Sequence, residues 1–292
     1  MRRRAALLTV GTAAIALLAG TAIAPVNPFL PRAAADDWAQ VGRTTASSLT
    51  ADEGVATVAS ASGTTSVLYR GVASIPLSVL VQGWVHIGDP DSRGGYVIDA
   101  YQGSSGATSK MFRLTTPAGT SYQYVHKLVS GEEYNNSFDA ISPDGQWLVA
   151  GEWDTMTHLQ IYPTPRLNPA TSATGGTLAL AGYITLDHAV NDVQGCDFVT
   201  ATELICASDD TSTALWPDIQ PLLRIELARG LDGSGVAGHV SEIAPLPRKS
   251  LCSGTFEAEG VDYDPASGLL RAEVVEPGIC AVVTDVYQYR SS

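Results

Sequence analysis

From residue 54 onward the sequence alternates short apolar runs, four to seven residues rich in Val, Ile, Leu, Tyr and Trp, with Gly, Asp, Ser or Pro. Runs of that length bounded by turn formers predict β-strands. Almost no stretch keeps the helical apolar period over ten residues, so strands are expected to dominate.

The runs recur in a fixed order. A segment with an acidic or glycine-rich exit appears as QGWVHIGDPD (82–91), NSFDAISPDG (136–145), QGCDFVTATE (194–203) and EAEGVDYDPASG (257–268). A second apolar run follows each: YVIDAY (96–101), WLVAGE (147–152), LICASD (204–209) and LLRAEV (269–274). A third arrives as MFRL (111–114), LQIY (159–162), LRIE (223–226) and VYQY (286–289). A fourth is present as YQYVHKL (122–128), LALAGYITL (178–186) and GHVSEIAPLP (238–247), but only three residues remain after VYQY. At the other end GVATVAS (54–60) and SVLYRGV (66–72) form a partial unit, and counting VLYR (67–70) with the third runs gives five members at spacings of 44, 48, 64 and 63 residues.

Repeated units of four short antiparallel strands are the signature of a β-propeller. One such sheet cannot bury both faces alone, whereas sheets packed face to face around an axis share continuous apolar layers. The expectation is therefore an all-β fold, a five-bladed β-propeller of four-stranded antiparallel blades, closed by strands from both chain ends. Six blades are the alternative, because residues 36–60 have room for another strand.

ISPDGQWLVAGEW (141–153) resembles the strand–turn–strand unit of secreted and periplasmic β-propellers of the WD40-like and YVTN-like type, in which an S-P-D-G turn joins the innermost strand of a blade to the second. The turn has its own physical logic: Pro143 presets φ, Asp144 caps its own backbone and Gly145 tolerates positive φ. Asp264 to Gly268 resembles a lengthened version, Asp89-Pro90-Asp91 departs by adding Ser92 to Gly95, and Gln194 to Glu203 lacks the proline. The resemblance implies fold and not function, because this architecture hosts binding modules, hydrolases, lyases and scaffolds. The low lysine count beside abundant Ala and Gly also resembles exported proteins of high-GC actinobacteria.

The start of the chain changes the picture. Arg2, Arg3 and Arg4 precede Ala5 to Ala24, twenty residues without charge, and Ala33-Ala34-Ala35 offers small residues for cleavage before Asp36. Residues 1–35 read as a signal peptide and 36–292 as a single propeller domain that is secreted, the alternative being a membrane anchor formed by residues 5–24. Loss of the leader removes four arginines and no acid, taking the net charge from −13 to −17. No basic cluster remains to grip phosphates, so nucleic acid is excluded as a partner, as is a membrane once the leader is cleaved. A monomer is expected. The four cysteines suit an oxidising compartment, and the two local pairings, Cys196 with Cys206 and Cys252 with Cys280, are favoured over the other connectivities. No C-x₂₋₄-C or H-E-x-x-H spacing suggests zinc.

Loops and inner strands of a propeller converge on its axis, so polar residues recurring at one position of the repeat are the site candidates. Asp99, Glu152, Asp209 and Glu273 fall near the ends of the second strands. His86, Asp89, Glu152, Asp209 and Glu259 are the candidates for acid–base chemistry, since paired carboxylates at suitable separation hydrolyse glycosidic bonds. Trp84, His86, Trp153, Asp154 and Asp210 are the candidates for ligand contact, the indoles offering apolar faces with one N–H donor. Against these stands the blander reading of solvated turn acids and of aromatics wedged between blades.

No cofactor is expected; Ca²⁺ is the one ion the acids would suit, although Asp89 to Gly94 fails as a calcium loop because Arg93 and Ala100 occupy ligand positions. Gly233 to Gly238 matches G-x-G-x-x-G but lacks the strand before and the helix after, and reads as an outer loop. Asn135-Asn136-Ser137 reads as a bare turn. No G-x-S-x-G and no Ser-x-x-Lys occurs. The sequence favours a secreted non-enzymatic propeller binding a glycan, peptide or cell-envelope protein, with an extracellular glycoside hydrolase or related hydrolase as the alternative.

Overall fold

The computed structural model describes residues 38–60 and 62–292; the signal peptide expected over residues 1–35, with its cleavage before Asp36, lies outside the described residues. The described body is all-β. Its strands, in chain order, are β1 (Trp38–Ser47), β2 (Gly54–Ala59), β3 (Thr65–Arg70), β4 (Trp84–Ile87), β5 (Asp91–Arg93), β6 (Tyr96–Gly103), β7 (Ser109–Thr115), β8 (Ser121–Lys127), β9 (Asp139–Ile141) and β10 (Trp147–Ala150). They continue as β11 (Met156–Pro163), β12 (Gly176–Thr177), β13 (Gly182–Val190), β14 (Val193–Thr200), β15 (Glu203–Ser208), β16 (Pro221–Leu227), β17 (Val236–Pro245), β18 (Glu257–Asp264), β19 (Leu269–Val275) and β20 (Val283–Ser291). One short helix, α1 (Leu77–Leu80), follows β3.

Consecutive strands pair antiparallel, as the turn residues between them require. β2 and β3 form a two-stranded sheet; β4 and β5 both lie against β6, which continues to β7, β8 and a parallel partner, β12. The order β9-β10-β11-β13 is joined through a parallel β13–β17 contact to β17-β16-β15-β14, giving eight hydrogen-bonded strands. The last sheet runs β18-β19-β20-β1: the strand missing after VYQY is supplied from the other end of the chain, with Trp38 opposite Ser291 and Ser47 opposite Val283. The first unit, partial in sequence, is a two-stranded hairpin and not a four-stranded blade. Two further features depart from expectation. The run 178–186 enters its strand only at Gly182, the preceding Gly176–Thr177 having gone to a neighbouring sheet. Asp99 lies in the middle of β6 and not near its end, whereas Glu273 is two residues from the end of β19.

The strands β2, β5, β9, β14 and β18 touch in cyclic order, β5 on β2 and β9, β14 on β9 and β18, and β18 on β2. They run the same way, since Asp89 bridges Phe138 in parallel and Val55 and Val261 both meet Asp89. We call the end where these strands begin the upper end and the other the lower end. Antiparallel pairing then places the segments 48–53, 71–83, 128–138, 209–220, 246–256 and 276–282 at the upper end.

Apolar clusters fill the spaces between sheets. One joins Ile98, Ala100 and Phe112 to Leu148 and Tyr162; another joins Phe138, Val149 and Ile161 to Phe198, Leu223 and Ile225; a third joins Ile205, Ala207 and Leu222 to Val261, Leu270 and Tyr287. In β15, Leu204 and Cys206 face one cluster while Ile205 and Ala207 face the next. Both faces are buried, which is why LICA reads as unbroken apolar sequence instead of alternation. Phe138 and Val261 are buried within these layers.

The disulfides Cys196–Cys206 and Cys252–Cys280 are both formed. The first joins directly opposed residues of β14 and β15; the second staples the 246–256 segment to the one after β19.

Candidate functional site at the upper end

The site is built on Asp89. It is fully buried, and its two carboxylate oxygens accept backbone N–H groups from different sheets, Val55 at 2.9 Å and Val261 at 3.0 Å. Those valines belong to the same triplet, Glu53-Gly54-Val55 and Glu259-Gly260-Val261. Gly54 and Gly260, with Gly195 of β14, pack so closely on Asp89 that a Cβ at any of the three would stand against its atoms. Asp89 thus serves as a bracket between strands and not as an acid open to substrate. Burial pushes its pKa well above the carboxylate range, despite the two amide donors.

The glutamates of the two triplets stand above Asp89. Glu53 Oε2 meets His86 Nε2 at 3.0 Å, and the His86 ring lies edge-on to Trp153 with centroids 5.0 Å apart. Burial raises the Glu53 pKa while the His86 hydrogen bond opposes the rise. Glu259 is buried, and no side-chain hydrogen bond reaches it among the described residues. Burial first, then the nearby Glu53, Glu257, Asp209 and Glu273, push its pKa well above the usual range. Glu273 is fully buried with neither oxygen partnered. His86 Nδ1 and Trp153 Nε1 are likewise buried without a partner.

The remaining candidates divide. Asp209 lies beside this group, half-buried, its Oδ1 accepting Ala258 N–H and Gln220 Nε2, both at 2.6 Å; burial raises its pKa to about 7. Glu152 is buried away from the axis, where its Oε1 takes Lys110 Nζ at 2.6 Å, Gln160 Nε2 at 2.9 Å and Glu133 N–H at 2.9 Å. Asp210 is buried and accepts Ser212 N–H, closing its own turn. Asp154 is exposed. Trp84, half-buried, packs against Val79, Ile87, Tyr101 and Met111, apart from the His86–Trp153 pair. Asn135 to Ser137 is no bare turn: all three residues are buried, and Asn135 Oδ1 accepts the Trp153 N–H at 2.9 Å, fixing that residue.

Sequence reading passed over Glu53 and Lys110. The twice-written E-G-V triplet was the available signal for Glu53. Nothing in the sequence marks Lys110, whose full burial depends on the packing of β7 against β10 and β11.

At the lower end a cavity of about 360 Å³ is lined by Thr57, Asp91, Arg93, Asp197, Asp262 and Tyr263 among others. Its aspartates are occupied: Asp91 accepts Ile141 N–H at 2.5 Å, Asp197 accepts Tyr263 N–H at 2.6 Å, and Asp262 accepts Thr57 N–H at 2.6 Å. Each latches one inner strand to another. No group of three or more His, Cys, Asp or Glu side chains among the described residues is arranged to hold a metal ion, and no helix among them is long and apolar enough to cross a membrane.

No protein-family model matches the chain, and no curated protein matches it. Among solved structures it is similar to the periplasmic gluconolactonase PpgL of Pseudomonas aeruginosa, at 15% identity over 60% of this chain and 46% of that one, TM-score 0.38. It is also similar to the β-propeller domain of Cps50 (Swd1) from Myceliophteria thermophila, at 13% identity over 76% of this chain and 59% of that one, TM-score 0.35. A third is the arabinanase Arb43A of Bacillus subtilis, at 11% identity over 87% of this chain and 92% of that one, TM-score 0.42. The chain spans about half the length of the first two.

Proposed function

We propose that the chain is an exported five-bladed β-propeller acting as a binding module, whose upper end takes a glycan, peptide or protein ligand. The five-blade count is supported by the five first strands in cyclic contact and by the use of β1 as the outer strand of the last sheet, which leaves residues 36–60 no strand for a sixth unit. Export is supported by the basic and apolar leader and by the two disulfides.

The observation that carries the binding reading is the division of the acids at the axis. Asp89 and Asp209 spend carboxylate oxygens on backbone amides, whereas Glu273, His86 Nδ1 and Trp153 Nε1 are buried polar groups without a hydrogen-bond partner among the described residues, and the Glu259 carboxyl is buried beside Glu53. Buried polar groups left without partners are costly, and a ligand or water that supplies the missing bonds recovers that cost. A second reading, hydrolysis, is favoured by one feature only: the desolvated Glu259 beside the Glu53–His86 pair is a proton donor next to an acceptor.

The experiment is a screen of the purified protein, produced with its leader, against polysaccharides, peptides and generic hydrolase substrates with and without chelator. Saturable binding that is lost in Trp153→Ala, with no product released, supports the module. Release of reducing sugar that is abolished by Glu259→Gln replaces it with the hydrolase.

A further inference from the structure

Ordinary protein surfaces scatter single aliphatic residues; they do not collect them at one end. Of the twelve large aliphatic side chains that stand exposed among the described residues, all but Val41, Val67 and Val85 lie in the upper-end segments. Their distribution is an arc. Leu251 and Ile279 flank the Cys252–Cys280 disulfide, at 105% and 92% exposure. Val282 and Leu49 come next, held together because Ser48 N–H donates to Val282 O and Ser48 Oγ to Ala281 O. Asp52 then accepts the N–H of Val72, and from there the arc continues through Leu77 and Val81 on and after α1.

The disulfide and these hydrogen bonds fix the apolar side chains in the open, where a free loop would fold them inward. Holding them in water is unfavourable by about 25 cal/mol per Å² of apolar surface, and that unfavourable energy is recovered when a partner covers them.

At the same end Asp52, Glu53, Asp192, Asp209, Glu257 and Glu259 lie close enough to act electrostatically on one another, with His86 against Glu53; Arg43 and Lys249 stand beside Leu251 and Glu276. Glu273 adds the second observation, a fully buried carboxyl with neither oxygen partnered among the described residues and with Asp52 and Glu53 of this cluster among its neighbouring acids. An aliphatic arc beside an acidic centre is complementary to a polypeptide that carries a lysine or arginine next to aliphatic side chains. It is a poor match for an anionic membrane, which the acidic centre repels, and for a neutral glycan, which has no use for exposed leucine and isoleucine.

We infer that the upper end is a docking surface for a basic, aliphatic polypeptide segment, whose cationic side chain enters the acidic centre while its apolar neighbours cover the arc from Leu251 to Val81. The inference rests on the binding reading above and names the partner's chemistry.

The test is a random dodecapeptide library selected on the protein immobilised through its C-terminus. The expected result is enrichment of Lys or Arg flanked by Leu, Ile or Val, with recovery falling at least tenfold on the triple variant Leu251→Ser, Ile279→Ser, Val282→Ser and at least tenfold in 0.5 M NaCl. All three positions are exposed, so the variant should keep the wild-type unfolding midpoint, which is measured alongside. Peptides enriched without a basic residue, or equally on the variant, overturn the inference. So does a failure of any peptide to enrich. Parallel arms separate the two levels of failure: binding of neutral oligosaccharides, or of phosphatidylglycerol vesicles, with no peptide preference overturns the partner and leaves the binding module, whereas sugar release with no binding partner at all removes the module as well.

Discussion

Lys110 shows how far a single residue's setting escapes the sequence. Its ammonium is sealed between sheets against Glu152, which also holds Gln160 and the Glu133 amide. Removing one member of such a pair leaves a buried charge uncompensated, so Lys110→Met should destabilise the protein by about 3–5 kcal/mol in urea unfolding, and adding Glu152→Leu should restore much of that loss. An unchanged midpoint in the single variant would contradict the burial. The acids give a second prediction. Burial holds Asp91 and Asp209 near 7 and pushes Asp89, Asp139, Asp197, Glu259 and Glu273 well above the carboxylate range. Unfolded, each ionises near pH 4. Between about pH 4 and about 7 the folded protein therefore binds more protons than the unfolded chain, and stability falls as pH rises through that window. Glu132 and Asp187 are held below their usual values, against burial, by hydrogen bonds from His126 and His239, so their contribution fades only below pH 4. The urea midpoint should be higher at pH 5 than at pH 7.5, and Asp209→Asn should narrow that gap. At this scale the repeat pointed to His86, Glu259 and Trp153, which the structure brings to one end of the fold, but not to the partners of Glu152 and Asp210, because a carboxylate's position in the chain says nothing about whether a lysine or an amide already occupies it.

Between elements, the decisive contacts are backbone to carboxylate. Asp262 takes both the amide and the hydroxyl of Thr57 as well as Arg271, so it ties β18 to β2 across the point where the first and last units meet. Gly260 makes room for Asp89 in the same place. Gly260→Ala sets a methyl against the Asp89 carboxylate and the Gly54 backbone and should destabilise by more than about 3 kcal/mol, whereas Gly230→Ala, whose Cβ would meet only Ala201 O at 3.6 Å, should change little; paired denaturation curves decide it. Reduction of both disulfides is expected to lower stability by about 3–4 kcal/mol per long loop closed, chiefly through Cys252–Cys280 with its separation of 28 residues, checked by unfolding with and without reductant. Strand order was readable because apolar runs and turn residues are local signals. The brief pairing of Gly176–Thr177 with β8 was not, since two residues without a hydrophobic pattern write no strand.

For the molecule as a whole, the short last unit was the informative irregularity: VYQY lacked a neighbour, and β1 supplies it over nine paired positions from Trp38 to Ser47. A chain beginning at Leu49 should therefore lose cooperative unfolding, and the separate peptide 38–47 added back should restore it; a truncated protein with a wild-type transition would refute the role of β1 in closing the fold. The partial first unit, GVATVAS and SVLYRGV, stays a two-stranded hairpin, and the residues after it close no further ladder but carry Leu77 and Val81 of the aliphatic arc. The same β1–β20 ladder has a practical geometric outcome. Trp38 and Ser291 face each other at the lower end, so a support or fluorophore joined near either residue attaches on the side opposite His86, and a molecule tethered there offers its acidic centre and its bare aliphatic rim to the solution.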